Sequence, residues 1–371
     1  MTQVLRFGII GCGLMGREFA SAAARWCHLT DIGVKPVITA ACDTNEQALT
    51  WFRDNTALTL ATTDYQELLS SDEVDAIYCA VPHHLHADMY GDIIRAGKHL
   101  LGEKPFGIDQ AANTHINQVI ADHPDVVVRC SSEFPFYPGA MRIVKALEDD
   151  AFGEIINVEA GFLHSSDLNP NKAINWKRMI AYNGEYGCMG DLGMHVVHIP
   201  ARMGWRPQQV AAQLSNIVRE RPDGKGNMVP CETWDNATLL TRVEAGGTSF
   251  PMTLHTKRIA PGEMNTWFLT VHGTRTSMHY STKYPRTLQR LDYTPGGEQA
   301  WQHIDVGYAS AYPTITGGIF EFGFPDAMLQ MWAAFCDEVA HGRMGMKQAF
   351  YCVTPDEAAL SHEVFTAALA G

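Results

Sequence analysis

No stretch of the 371-residue sequence approaches the roughly 20 uninterrupted apolar residues that a membrane-spanning helix needs. The start, Met1-Thr2-Gln3-Val4-Leu5-Arg6-Phe7, lacks the basic segment and apolar run of a secretory signal. Positive charge is scarce: 28 Lys and Arg stand against 41 Asp and Glu, a net charge of −13. Nucleic acid and anionic membrane both demand a basic surface, so neither is expected as a partner. A local basic pocket for an anionic small molecule stays open. There is no C-x-x-C and no paired metal-ligand spacing. The nine cysteines are scattered from Cys12 to Cys352, mostly in apolar runs, where a free thiol packs as a small hydrophobe. Together these absences point to a cytoplasmic protein in a reducing compartment. There is no internal repeat and no low-complexity tract. What remains is ordinary globular composition, 46% hydrophobic and 19% charged, over a length that suits about two domains.

The informative region comes first. Val4–Ile10 is a β-rich run, Gly11-Cys12-Gly13-Leu14-Met15-Gly16 follows at once, and Arg17–Arg25 is alanine-rich and helical. A G-x-G-x-x-G between strand and helix has separable physical reasons. Gly11 allows the tight turn, Gly13 lets backbone approach a pyrophosphate, and Gly16 lets the helix pack on the strand. The helix N-terminus attracts the phosphates. A second strand, Val37–Cys42, ends in Asp43. An acid there accepts hydrogen bonds from the adenosine ribose hydroxyls and repels a 2′-phosphate, which favours NAD over NADP. Asp43 lies 27 residues beyond Gly16, against roughly 20 in the usual fingerprint, and a loop around Trp26–Pro36 accommodates the excess. The competing role for Asp43 is the N-cap of a helix from Glu46.

The alternation continues: strand Val74–Val81, helix Ala87–Ala96, strand His99–Gly102, helix Asp109–Ala121, strand Val126–Cys130. Strands alternating with helices imply a doubly wound parallel sheet with right-handed crossovers, and ligands bind at the carboxyl ends of its strands. Pro82–His86 and Glu103-Lys104-Pro105 fall at those ends. Downstream, Val210–Val218, Trp234–Glu244, Thr248–Ile259, Trp267–His272, Ser277–Tyr280 and Thr287–Tyr293 are β-rich runs broken by Gly and Pro turns, an antiparallel texture. Helical segments Pro325–His341 and Thr354–Ala370 follow.

The glycine turn, Pro82-His83-His84-Leu85-His86, and Ala96-Gly97-Lys98-His99 running into Glu103-Lys104-Pro105 resemble the glucose–fructose oxidoreductase / inositol dehydrogenase / rhizopine-catabolism (Gfo/Idh/MocA) family. Gly190-Asp191-Leu192-Gly193-Met194-His195 is similar to that family's D-x-G-x-H segment, and Phe152-Gly153-Glu154-Ile155 to its hinge. The resemblance implies an α/β fold: an N-terminal Rossmann domain, residues 1–131, binds NAD. A C-terminal α+β domain, residues 132–371, has a large, open, mostly antiparallel sheet for substrate binding and homo-oligomerisation. It implies catalytic roles for Lys104, Asp191 and His195, and cofactor contacts for Pro82, His86 and Glu103, with Glu103 on the nicotinamide ribose or carboxamide. His83 departs from the Asn often found there.

The chemistry of these side chains suits oxidation of a secondary alcohol on a sugar, sugar derivative or polyol. His195 takes the hydroxyl proton, Asp191 orients it or binds substrate, and Lys104 stabilises the developing alkoxide. Lys104 is the alternative proton carrier if burial depresses its pKa. Asp191, His195 and His198 have a spacing that metals use, but hydride transfer to a nicotinamide needs none, so no metal is expected. Substrate candidates are Lys172, Trp176, Lys177 and Arg178 in the loop before the D-x-G-x-H segment, together with Tyr137 and His164. Polar and aromatic groups suit a sugar, and the basic trio suits an anionic substituent. The same residues also serve a glycosidase that oxidises its sugar only transiently, with no net redox change, including on a carboxylated or sulfonated glycoside. Asp43→Ala is expected to weaken NAD binding and relax discrimination against NADP. Tighter binding of NADP than NAD by the unmutated protein, measured by titration, would contradict the assignment.

Overall fold

In the computed structural model, residues 2–307 and 309–371 are described. The chain forms two compact units, one of residues 2–107, 111–136 and 309–355, the other of residues 108–110, 137–307 and 356–371.

The first unit is built on six parallel strands, β1 (Gln3–Ile10), β2 (Val34–Cys42), β3 (Leu60–Thr62), β4 (Ala76–Cys79), β5 (His99–Gly102) and β6 (Val128–Cys130), in the order β3-β2-β1-β4-β5-β6. Their central residues are apolar throughout: Phe7, Ile9, Ala40, Ala41, Ile77, Tyr78, Leu100 and Leu101 are at most 1% exposed, as a sheet covered on both faces requires. The order reverses between β1 and β4, which places a ligand crevice at the carboxyl ends of those two strands.

The unit boundary differs from a single break after Ser131. The helix Phe324–His341 returns to the first unit, because its apolar residues cover the sheet there. Trp332, wholly buried, lies with its ring centroid 3.6 Å from that of Phe19, 5.2 Å from Phe7 and 5.7 Å from Trp26. A hydrophobic helix has no sequence mark that says which sheet it will cover, so chain order misassigned it.

The second unit holds eight strands of one large sheet: β7 (Ile155–Leu163), β8 (Pro207–Ser215), β11 (Asn236–Ala245), β12 (Thr248–Lys257), β13 (Thr266–Gly273), β14 (Thr276–Ser281), β15 (Thr287–Asp292) and β16 (Gln302–Asp305). The short pair β9 (Glu220–Pro222) and β10 (Met228–Pro230) stands apart. The order is β16-β15-β14-β13-β7-β12-β11-β8, antiparallel except where β7 runs parallel to β12. Buried and exposed residues alternate along β11 and β12, the mark of a sheet covered on one face. The helix Cys188–Arg202 packs on β7 and β12 and is buried from Cys188 to Pro200. Gly193 faces another neighbour: a Cβ there would stand 2.2 Å from the Phe365 ring of the C-terminal helix Pro355–Ala370, so its lack of a side chain lets those two helices approach.

Trp332→Ala is expected to destabilise the protein by about 3–5 kcal/mol in denaturant unfolding, because it empties the aromatic core under β1. A loss below about 1 kcal/mol would contradict that packing.

Candidate active site

At the switch point of the first unit the three glycines separate as their chemistry predicts. Gly11 has φ of +95°, and a Cβ there would lie 2.3 Å from the Ala80 carbonyl oxygen. At Gly16 a Cβ would lie 2.2 Å from the Gly11 carbonyl oxygen. At Gly13 a Cβ would meet nothing within 4 Å: the space above it is open. The helix that begins there, Leu14–Ala24, has no side-chain cap and no acidic residue in its first turn. Its first N–H groups therefore form an anion site that no side chain of its own fills. Leu14 is 75% exposed beside it.

Asp43 closes this loop. One carboxylate oxygen accepts the Cys12 backbone N–H at 2.8 Å and the other the Asn45 N–H at 2.8 Å. The helix Glu46–Asn55 is capped by Asn45, so the capping role considered for Asp43 falls to its neighbour. A carboxylate has about four acceptor positions, which leaves Asp43 capacity for ribose hydroxyls. Cys12 serves through its backbone. Burial first, then Asp43, pushes its thiol up to about 12, and burial pushes Cys42 up to about 12 as well. Both stay protonated and unreactive at neutral pH. An open glycine, an uncapped helix and a half-buried acid fit a dinucleotide.

Glu103 is buried and accepts the Tyr78 hydroxyl at 2.6 Å, while its carbonyl takes the Tyr90 hydroxyl at 2.7 Å. Lys104 follows, half-buried, and Phe106 two residues on has φ of +68°, a strained value for a side chain of that size. His86 is wholly buried, its Nε2 3.0 Å from the Val81 carbonyl and its ring stacked on Tyr90 at 4.6 Å. It therefore supports the loop after β4 from beneath. Glu133 escaped sequence reasoning. Burial first, and Glu103 second, push its carboxyl up to about 8, with Lys104 opposing. An isolated Glu after a short strand carries no motif that would reveal this.

In the second unit, Asp191 lies in the first turn of the helix Cys188–Arg202, where the helix dipole favours an acid. Lys177 Nζ donates to its Oδ1 at 2.8 Å and the Arg258 guanidinium to its Oδ2. Arg258 Nε also donates to Asp167 Oδ2 at 2.9 Å, and Lys172 Nζ to Asp167 Oδ1 at 3.4 Å. Burial raises the Asp167 carboxyl, but Arg258, Lys172 and Arg221 hold it below the usual range. Sequence reasoning missed Asp167 and Arg258, which stand 24 residues before and 67 after Asp191 with no shared spacing.

His195 is 4% exposed, and its carbonyl takes the Trp267 indole N–H at 2.9 Å. The Phe162 ring stands edge-on to it at 5.3 Å and lies 4.8 Å from the His164 ring. His198 is held well below its ordinary pKa by burial and then by Arg202, whose Nη2 lies 2.9 Å from its Nε2. It is a neutral packing residue. Arg178 is wholly buried, with its guanidinium on Asn216, the Val218 carbonyl and Asp235. It anchors the loop and has no exposed surface for substrate, a correction. Tyr137 is 4% exposed and packs beside Tyr280. Trp176 lies beneath Lys177, the Nζ 5.6 Å from its ring centroid.

A dinucleotide turn on a parallel sheet, with an acid that suits NAD and a second unit bearing an Asp–His helix, defines an NAD-binding oxidoreductase. Residues 5–130 match the oxidoreductase family NAD-binding Rossmann fold, and residues 141–279 match the Gfo/Idh/MocA C-terminal domain. The chain belongs to the Gfo/Idh/MocA family. Levoglucosan dehydrogenase of Pseudarthrobacter phenanthrenivorans is 23% identical over 339 residues, 82% of this chain and 86% of that protein. A solved structure of levoglucosan dehydrogenase in complex with NADH superposes with a TM-score of 0.85 at 22% identity, covering 99% of this chain and 98% of that one. An alpha-N-acetylgalactosaminidase of Shewanella oneidensis is 27% identical over 180 residues, 44% of this chain and 36% of that protein.

Arg258→Met is expected to destabilise by about 3–5 kcal/mol, since it leaves two buried carboxylates without their shared cation. The Asp167 carboxyl sits below its unfolded value, so its stabilisation is full above the unfolded pKa and is lost as pH falls through the folded one. Acid unfolding, followed by circular dichroism, should therefore begin at higher pH in Arg258→Met. Coincident acid transitions would contradict the ion-pair assignment.

Proposed function

We propose that this protein is an NAD-dependent dehydrogenase that takes hydride from a secondary hydroxyl of a sugar, sugar derivative or polyol. The observation that carries the reading is the D-x-G-x-H helix, with Asp191 fixed by two cations, in a chain similar along most of its length to a sugar dehydrogenase. NAD supplies the hydride acceptor. Gly11, Gly13, Gly16 and the first turn of Leu14–Ala24 hold its phosphates, Asp43 its adenosine ribose, and Glu103 and the loop from Pro82 its nicotinamide end. His195 receives the hydroxyl proton, and Lys104 carries positive charge to the oxygen that becomes a carbonyl. Asp191 serves as the fixed anion that orients Lys177 and the face of the helix bearing His195. Burial, with Glu103 beside it, pushes the Glu133 carboxyl up to about 8, and Lys104 opposes that shift.

A redox-neutral glycosidase is the second reading, and the partial likeness to an N-acetylgalactosaminidase favours it. It uses the same residues and differs only in returning the hydride. We also place the protein in the cytoplasm, on cysteines scattered along the chain and mostly buried in its apolar interior. We place homo-oligomer contacts on the open face of the large sheet. There Phe268 lies 6.2 Å from His255 and 6.3 Å from His279, opposite the face on which Thr256 meets Cys188 of the helix.

With NAD and a panel of sugars and polyols, steady accumulation of NADH is expected. Lys104→Ala and His195→Ala should each lower kcat/KM by about 10²-fold or more. Turnover unchanged in both variants would overturn the site.

A further inference from the structure

The edge of the nucleotide turn carries a cation that the cofactor reading leaves unused. Arg17 follows directly on the last glycine of the turn, in the helix Leu14–Ala24, and its side chain is exposed. Its backbone N–H donates to the Gly13 carbonyl at 3.1 Å, so the turn itself fixes where the side chain starts. The guanidinium reaches across to the next helix, Glu46–Asn55, where its central carbon lies 5.7 Å from the centroid of the half-buried Trp51 ring. Asp43 ties the starts of the same two helices together. It accepts the N–H of Cys12, in the turn before the first, and the N–H of Asn45, the cap of the second. Arg17 therefore bridges the two helices that Asp43 joins.

A guanidinium held by a ring face spends no N–H on its anchor. Its donors stay in their own plane, as the fork that matches two phosphate oxygens. The charges acting on two neighbouring thiols show on which side of Asp43 it stands. At Cys12, Asp43 pushes the thiol up and Arg17 opposes it, whereas at Cys42, Asp64 and Glu67 act together with Asp43. The side of Asp43 that faces the glycine turn thus has a cation as well as an acid. The adenosine 2′-oxygen is the cofactor atom that meets such an acid. A hydroxyl there donates to Asp43. A phosphate there is repelled by Asp43 and attracted by Arg17.

Resting on the reading of Asp43 as the ribose acid, we infer that Arg17, positioned by Trp51, forms a latent site for the 2′-phosphate of NADP, which the Asp43 charge keeps closed. The preference for NAD is then a balance of one carboxylate against one guanidinium, and a single substitution tips it.

The test uses the full-length protein, its Asp43→Ala and Asp43→Ser variants, Arg17→Met, and the double variants. Calorimetry measures binding of NADH, NADPH and two fragments, 5′-AMP and 2′,5′-ADP, which differ only in the 2′-phosphate. The unmutated protein should favour NADH and 5′-AMP. Both Asp43 variants should reverse the fragment order, with 2′,5′-ADP bound about 10-fold or more tightly than 5′-AMP, by a margin that falls as salt rises. Adding Arg17→Met should abolish that margin and leave 5′-AMP binding as in the single Asp43 variant. Arg17→Met alone should weaken 2′,5′-ADP more than 5′-AMP, which keeps the inference testable if loss of Asp43 loosens the turn. A margin that survives Arg17→Met, or an equal loss of both fragments in it, would overturn the inference. Weaker NADH binding in the Asp43 variants, with no gain for NADPH or 2′,5′-ADP, would overturn it and leave Asp43 as the ribose acid. NADH and NADPH affinities both unchanged in the Asp43 variants would overturn that reading, and the inference with it.

Discussion

A guanidinium buried between two carboxylates organises the chemistry-bearing face of the second unit. The helix Cys188–Arg202 is buried from Cys188 through Pro200, so apolar contact fixes where it lies but not how a carboxylate in its first turn points. Arg258, on the segment leaving β12, does that by holding Asp191 and Asp167 at once. Removing two acids and a base from water costs several kcal/mol per ion before pairing. The arrangement therefore holds only while all three remain together. That requirement ties the loop before the helix, the helix and the sheet into one rigid piece, and Lys177 inherits its position from it.

The first unit solves a different problem, that of keeping space empty. Gly13 has open volume above it, the helix after it has an uncapped N-terminus, and Asp43 uses its oxygens to bind the glycine loop to the end of β2. These features leave donors and one acid facing a crevice, at the single place in the sheet where the strand order reverses. Behind them, Tyr78, Tyr90 and His86 form a buried scaffold that holds Glu103 and the loop after β4 from below. Burial keeps Cys12 and Cys42 protonated, so two thiols beside the cofactor turn are inert neighbours.

Local patterns in the sequence revealed whatever local physics decides. The strand, glycine turn and helix at the N-terminus were legible because each glycine has its own steric reason. The alternation of strands and helices gave the parallel sheet. The β-rich runs gave the second sheet, though not the parallel pairing of β7 with β12, since register between distant strands leaves no local trace. Motif context singles out Lys104, Asp191 and His195 as candidates. It passes over Asp167, Arg258 and Glu133, because their significance comes from partners far along the chain or from burial alone. The same limit misjudged Arg178, where a basic loop residue proved to be a fully buried anchor on Asp235. It also misjudged the helix Phe324–His341, whose apolar face goes to the first sheet.

Net hydride transfer to NAD is the central claim, and isotope tracing tests it most directly. A substrate sugar deuterated at the oxidised carbon is incubated with NAD, and the fate of the label is followed by mass spectrometry. The dehydrogenase reading requires one labelled reduced cofactor for each sugar oxidised, with a keto product that has lost the deuterium. Label returned to a released sugar, with no reduced cofactor accumulating, would contradict it and identify a redox-neutral glycosidase.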